Sequence, residues 1–72
     1  MTNNRDNIVT FILDYTEENG YPPTVREIGK GVGLSSTSTV QFHLDALMYQ
    51  GVLTAEKGKP RTIKVAKNGN TI

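Results

Sequence analysis

The sequence predicts a mainly α-helical domain with one small β-hairpin, a three-helix winged helix-turn-helix. Three observations carry that expectation. Apolar residues recur at helical spacing early in the chain, at Ile8, Phe11, Ile12 and Tyr15. Two glycine-centred breaks, at Asn19-Gly20 and Gly33-Leu34, set two further short helical patterns one behind the other. Two short segments of β-type composition then follow, separated by a basic loop. Seventy-two residues leave room for a single domain, expected over 1–66, with a polar C-terminal tail over 67–72.

Residues 1–4 are polar and expected to fray, and the first helix runs to about Asn19, where Asn19-Gly20 ends it. Pro22-Pro23 forbids its continuation, because each ring lacks an amide donor and restrains the residue before it. Thr24 with Glu27 three positions on is a capping box, so the second helix starts at Val25. It carries Val25, Ile28 and Val32 on one face, but Gly29 and Gly31 sit inside it at a cost of roughly 1 kcal/mol each relative to alanine. Gly29 is expected to let a neighbouring helix come close, and Gly31 merely to be tolerated. A phosphate-cradling loop does not fit, since the glycine spacing matches neither known phosphate-loop pattern. Gly33 suits a positive φ, and Leu34 is expected to plug the core. A third helix is expected from about Thr37 to Gln50, with Val40, Leu44 and Leu47 inward, Met48 and His43 beside them, and Gly51 as its stop. Val52–Ala55 and Thr62–Val65 read as the hairpin strands, with Glu56–Arg61 as its tip.

Composition excludes several functions. The absence of cysteine removes disulfides, thiolate metal sites and a cysteine nucleophile, and suggests a cytoplasmic protein. A lone His43 cannot build a histidine metal cluster, and no metal or other cofactor is expected. The apolar run Ile8–Leu13, broken by Thr10 and followed by Asp14, fits neither a signal peptide nor a membrane span, so no membrane partner is expected. His43 and Asp45 are two apart on a helix and diverge, leaving no nucleophile–base pair; an enzyme with a small-molecule substrate is not expected. The net charge of +1 is uninformative, but its distribution is not. Acids dominate residues 1–25, whereas Lys57, Lys59, Arg61, Lys64 and Lys67 face no acid in residues 57–72. The basic C-terminal end and the hydroxyl cluster Ser35–Thr39 at the head of the third helix together suit a DNA groove and its phosphates.

The run Gly20–Gly29, then Val32–Ser36, Ser38–Val40, His43-Leu44, Leu47, Gly51 and finally Lys59–Ile63 closely resembles the N-terminal DNA-binding domain of the LexA family of SOS-response repressors, in its Gram-positive form. The PPTVREIG run and the KPRTI segment are specific in combination. The resemblance implies a winged module that binds half of a palindromic operator in double-stranded DNA, normally as a dimer. It also implies, for full-length members, a C-terminal self-cleaving peptidase domain with a serine–lysine dyad that supplies most of the dimer contact. The present sequence stops before such a domain. The expectation is therefore an excised fragment or a natural short relative, without autoproteolysis and with at most a weak homodimer on DNA.

The resemblance assigns Ser36, Ser38, Thr39, Gln41 and Phe42 to the bases or adjoining phosphates. Their chemistry fits: hydroxyls donate to or accept from base edges, the Thr39 methyl can meet thymine, and Gln41 can pair with adenine at two points. Ser36 or Ser38 also has a purely structural use as a helix cap. Phe42 departs from the family pattern, whose members usually hold a small or acidic residue there. It can touch a thymine methyl, pack under the wing or meet a protein partner. Arg26 suits a phosphate near the positive end of the second helix or simply solvent. Lys57, Lys59 and Arg61 are expected to project together at the hairpin tip, stiffened by Pro60, and to bind DNA backbone; lysines that guard an edge strand are the other use. His43 is expected at the core margin, within reach of a phosphate. The function so implied is a sequence-specific regulator, a repressor of SOS type acting at an inverted repeat. The alternative is a winged module that binds a host repressor or RNA polymerase through Phe42 and Tyr49.

Overall fold

Helices α1 (Asn4–Asn19), α2 (Val25–Val32) and α3 (Thr37–Tyr49) precede an antiparallel pair of strands, β1 (Leu53–Thr54) and β2 (Lys64–Val65), in a computed structural model that describes residues 4–66. The tail expected over 67–72, and all of the expected N-terminal fray except Asn4, lie outside the described residues; Asn4 itself opens α1. Order and composition of elements are those of a winged helix-turn-helix.

Local sequence explains each boundary. Gly20 adopts φ 81° while its amide donates to the Thr16 carbonyl, closing α1. The Thr24 hydroxyl accepts the Glu27 amide at 3.2 Å and the Glu27 carboxylate accepts the Thr24 amide at 2.9 Å, which completes the expected capping box. At the other end of α2, Gly33 takes φ 82° and the Leu34 amide returns to the Gly29 carbonyl at 2.8 Å. Helix α3 stops one residue earlier than expected, at Tyr49. The Gly51 and Val52 amides donate to the carbonyls of Met48 and Leu47, the two bonds of a Schellman ending, with Gly51 at φ 83°.

The strands are shorter than composition suggests. Val52 is taken by the end of α3, and Thr62 turns its hydroxyl to the Glu56 amide, so only Leu53↔Val65 and Thr54↔Lys64 pair. A bond from the Ala66 amide to the Val52 carbonyl continues the pairing at the hairpin base.

One core joins every element: Ile8 and Ile12 from α1, Ile28 from α2, Val40, Leu44 and Leu47 from α3, and Leu53 and Ile63 from the hairpin. Burying each such side chain contributes about 1.5–3 kcal/mol, so none of the elements is dispensable in so small a core. The two helical glycines have different reasons. A Cβ on Gly29 would lie 3.2 Å from the Val40 side chain and 3.0 Å from the Leu34 carbonyl, so α3 does approach closely there. Gly31 is not merely tolerated, contrary to expectation. A Cβ there would run into the Phe11 ring of α1, so the missing side chain is the seat of that ring.

Candidate nucleic-acid interface

The outward face of α3 is built by what its inward face must bury. With Val40, Leu44 and Leu47 in the core, helical geometry sends Ser38, Gln41, Phe42, Asp45 and Tyr49 outward or to the flanks. Ser36, Ser38, Thr39, Gln41 and Phe42 are all exposed. Ser36 is the N-cap, its hydroxyl accepting the Thr39 amide at 3.4 Å, so the capping use anticipated for one serine belongs to it. Its own hydroxyl proton stays available for another acceptor. Gln41 donates an amide N–H to the Asp45 carboxylate at 2.8 Å. That bond fixes the Gln41 amide and leaves its carbonyl and second N–H for an outside partner. Phe42 is 66% exposed with its ring edge-on to His43, and it does not line the groove beneath the wing, so packing under the wing is not its use. Tyr49, one turn beyond Asp45, is 93% exposed.

A groove of about 580 Å³ separates α3 from the wing, with Gln41, Asp45 and Met48 on one side and Lys57, Lys59 and Pro60 on the other. The wing tip is a turn in which the Lys59 amide donates to the Glu56 carbonyl, and Gly58, at φ 77°, occupies the position that favours glycine. The Thr62 hydroxyl accepts the Glu56 amide at 2.9 Å and lies within hydrogen-bond distance of the Lys59 carbonyl at 3.1 Å, so one side chain ties both arms of the tip. Lys57 has no ion pair among the described residues, and Lys59 has only a loose, exposed one to Glu56 at 3.6 Å.

Arg61 departs from its expected place. Instead of projecting with Lys57 and Lys59, its guanidinium folds back onto the start of α2. Nη1 and Nη2 donate to the two carboxylate oxygens of Glu27, each at 3.0 Å, while Nη1 also donates to the Pro22 carbonyl at 3.2 Å and the Tyr15 hydroxyl at 3.3 Å. The cation lies 4.9 Å from the Tyr21 ring centre. The bidentate match to Glu27 acts together with the bonds to Pro22 and Tyr15 and the Tyr21 ring face in turning the side chain inward. The Arg61 hydrogen bonds, followed by the Thr24 amide, hold the Glu27 carboxyl down at about 2, against an ordinary 4.5. Glu27 in turn raises the Arg61 pKa above its usual value. The sequence marked Glu27 only as a helix cap, Tyr15 as part of an apolar stripe and Pro22 as a helix breaker, and none of these, nor Tyr21, as a partner of Arg61. No local pattern ties them to a residue 34 or more positions away.

Arg26 stands exposed in the first turn of α2 with no ion pair among the described residues, so both of its anticipated uses remain open to it. His43 lies half-buried beside the core, as expected, with Nδ1 enclosed and without a hydrogen-bond partner. Any phosphate contact by His43 therefore falls to Nε2. Among the described residues no group of three histidine, cysteine or carboxylate side chains could hold a metal ion, and no helix is long and apolar enough to cross a membrane.

Comparison with known proteins converges on one family. The model of the family described as the LexA DNA binding domain matches residues 1–62. The LexA repressor of Oenococcus oeni is 53% identical over 62 residues, which are 86% of this chain and 29% of that protein. Its counterpart in Lacticaseibacillus casei is 52% identical over 62 residues, 86% of this chain and 30% of that protein. The LexA repressor of Carboxydothermus hydrogenoformans is 53% identical over 58 residues, 81% of this chain and 28% of that protein. The chain thus spans less than a third of the length of the curated relatives it matches.

Proposed function

The chain belongs to the LexA DNA-binding domain family, and from that premise we propose that it binds double-stranded DNA sequence-specifically and represses transcription from an SOS-type inverted repeat. The observation that carries this reading is the groove flanked by Gln41 on α3 and by Lys57 and Lys59 on the wing. A helix about 10–12 Å across fits a major groove about 12 Å wide. With α3 so placed, Ser36, Ser38, Thr39, Gln41 and Phe42 meet base edges or adjoining phosphates, and Lys57 and Lys59 meet the backbone, joined by Arg26 and His43 Nε2. Phe42, with two-thirds of its surface free, supplies an apolar contact of the kind a thymine methyl accepts.

Gln41 reads adenine at two points, its free carbonyl accepting from N6 while its free N–H donates to N7. The domain acts in the cytoplasm as a binding module without catalysis, two copies meeting weakly on the two half-sites. A single wing and a single recognition helix make few contacts, so affinity for one half-site is modest and falls steeply with salt.

A titration of an inverted-repeat operator of the family's type against a scrambled duplex tests the proposal. Tighter binding to the operator is expected, and equal affinity would sink it. In the same assay Gln41→Ala should cost about 1–3 kcal/mol on the operator and relax preference at one base position. Lys57→Ala should weaken both duplexes alike and lower the salt slope by about 0.9.

A further inference from the structure

Arg61 is the one non-glycine with positive φ, at 58°, among the described residues. That region is uncommon for a side chain of this size and is held only where the surroundings fix it. Here the surroundings are the main body of the domain. The partners of the guanidinium lie on α1 (Tyr15), on the turn after it (Tyr21 and Pro22) and at the start of α2 (Glu27). The hairpin they restrain is slight: two pairs of residues at its base and a loop over 55–63. With the Arg61 bonds released, the tip that carries Lys57 and Lys59 would be held to the domain by the short ladder and the buried Ile63.

We propose that Glu27 and Arg61 form a clasp that sets the tilt of the wing against α2, and so fixes where Lys57 and Lys59 meet the DNA backbone. Both are positioning residues, and Arg61 is not itself a phosphate contact. Nη1 and one N–H of Nη2 are bonded to Glu27, Pro22 and Tyr15, so a phosphate that drew the guanidinium outward would have to break a bidentate pair. The clasp rests on the reading that the wing lysines touch DNA. Its contribution is pre-organisation: lysines already held in place lose less freedom on binding.

Glu27→Gln separates the clasp from its rivals by the sign of the effect. Glutamine can still accept the Thr24 amide, so the helix cap survives. The substitution also removes a negative charge from a protein that meets a polyanion, which by itself tightens binding. A phosphate-contacting Arg61, freed from its carboxylate, would tighten it further. The clasp requires the opposite. Affinity for a mixed-sequence duplex should fall about tenfold, with the salt slope lowered by about 0.9 for each phosphate the wing ceases to neutralise. Changing Lys57 and Lys59 to alanine should then cost less in the Glu27→Gln background than in the native chain. Arg61→Lys, which keeps the charge but forfeits the fork, should act in the same direction. Amide exchange at Glu56, whose N–H is bonded to the Thr62 hydroxyl, should quicken in both variants. Unchanged or tighter binding by Glu27→Gln, or an equal lysine cost in both backgrounds, overturns the clasp. A lysine pair that costs nothing even in the native chain overturns instead the DNA role of the wing.

Discussion

The Glu27 carboxylate serves two masters with three hydrogen bonds. One of its oxygens accepts both the Thr24 amide, which starts α2, and Arg61, which comes from the wing; the other accepts Arg61 alone. These bonds favour the ionised carboxylate, and its folded pKa of about 2 lies below the ordinary 4.5. The stability this provides is fully present above about pH 4.5 and is lost as the pH falls toward 2. Thermal midpoints of the native chain and Glu27→Gln should therefore differ most above pH 4.5 and converge near pH 2; a gap that persists at the acid end would deny the carboxylate this role. At this scale the sequence was half legible. Thr24 and Glu27 lie three apart and advertise a cap, and a serine before Thr37 advertises another. Nothing local could reveal that Arg61 leaves the company of Lys57 and Lys59, because its reward, a carboxylate at 3.0 Å, belongs to a distant part of the chain.

Among the elements, α2 is the one whose composition looked least like its structure. Two glycines in eight residues make a poor helix in isolation, yet each answers to a neighbour: Gly29 to Val40 of α3 and Gly31 to Phe11 of α1. Helix propensity alone says that Gly31→Ala should stabilise the domain by up to about 1 kcal/mol. The Phe11 ring, standing where the added carbon would go, says otherwise. Overpacking of this kind costs about 1–3 kcal/mol, and the net effect should be a lower urea midpoint. Phe11→Leu in the same chain should recover part of the loss, because the ring is what the new methyl strikes. The same contact explains the one misjudged glycine. Close approach to α3 could be guessed at Gly29, since the two helices follow one another across a tight turn. The pairing of Gly31 with an aromatic residue twenty positions earlier could not. Helix order and the inward face of α3 were legible because their periodicity is long and clear. Strand length was not, since Val52 and Thr62 were drawn into a helix end and a loop bond instead.

The whole domain measures 33 × 28 × 24 Å, and five of the eight lysines and arginines of the chain fall in residues 57–72. Fold class was legible at this scale from the order of elements alone. The position of the wing was not, because it depends on bonds between the two ends of the chain. Those bonds separate the molecule into parts that are cheap and parts that are slow to assemble. Most helix-to-helix contacts, those of α1 with α2 and of α2 with α3, join near neighbours in sequence, whereas the clasp spans 34 residues to Glu27 and 46 to Tyr15. Closing so long a loop is costly before its contacts reward it, so Arg61 should dock after the rate-limiting step. Arg61→Gln should then leave the refolding limb of a chevron unmoved and raise the unfolding rate several-fold, roughly as its whole effect on stability. A slowed refolding limb would place the docking earlier. On this reading the salt bridge acts as a timer. It does little to hasten the arrival of the folded state, and much to prolong how long a seated wing stays seated.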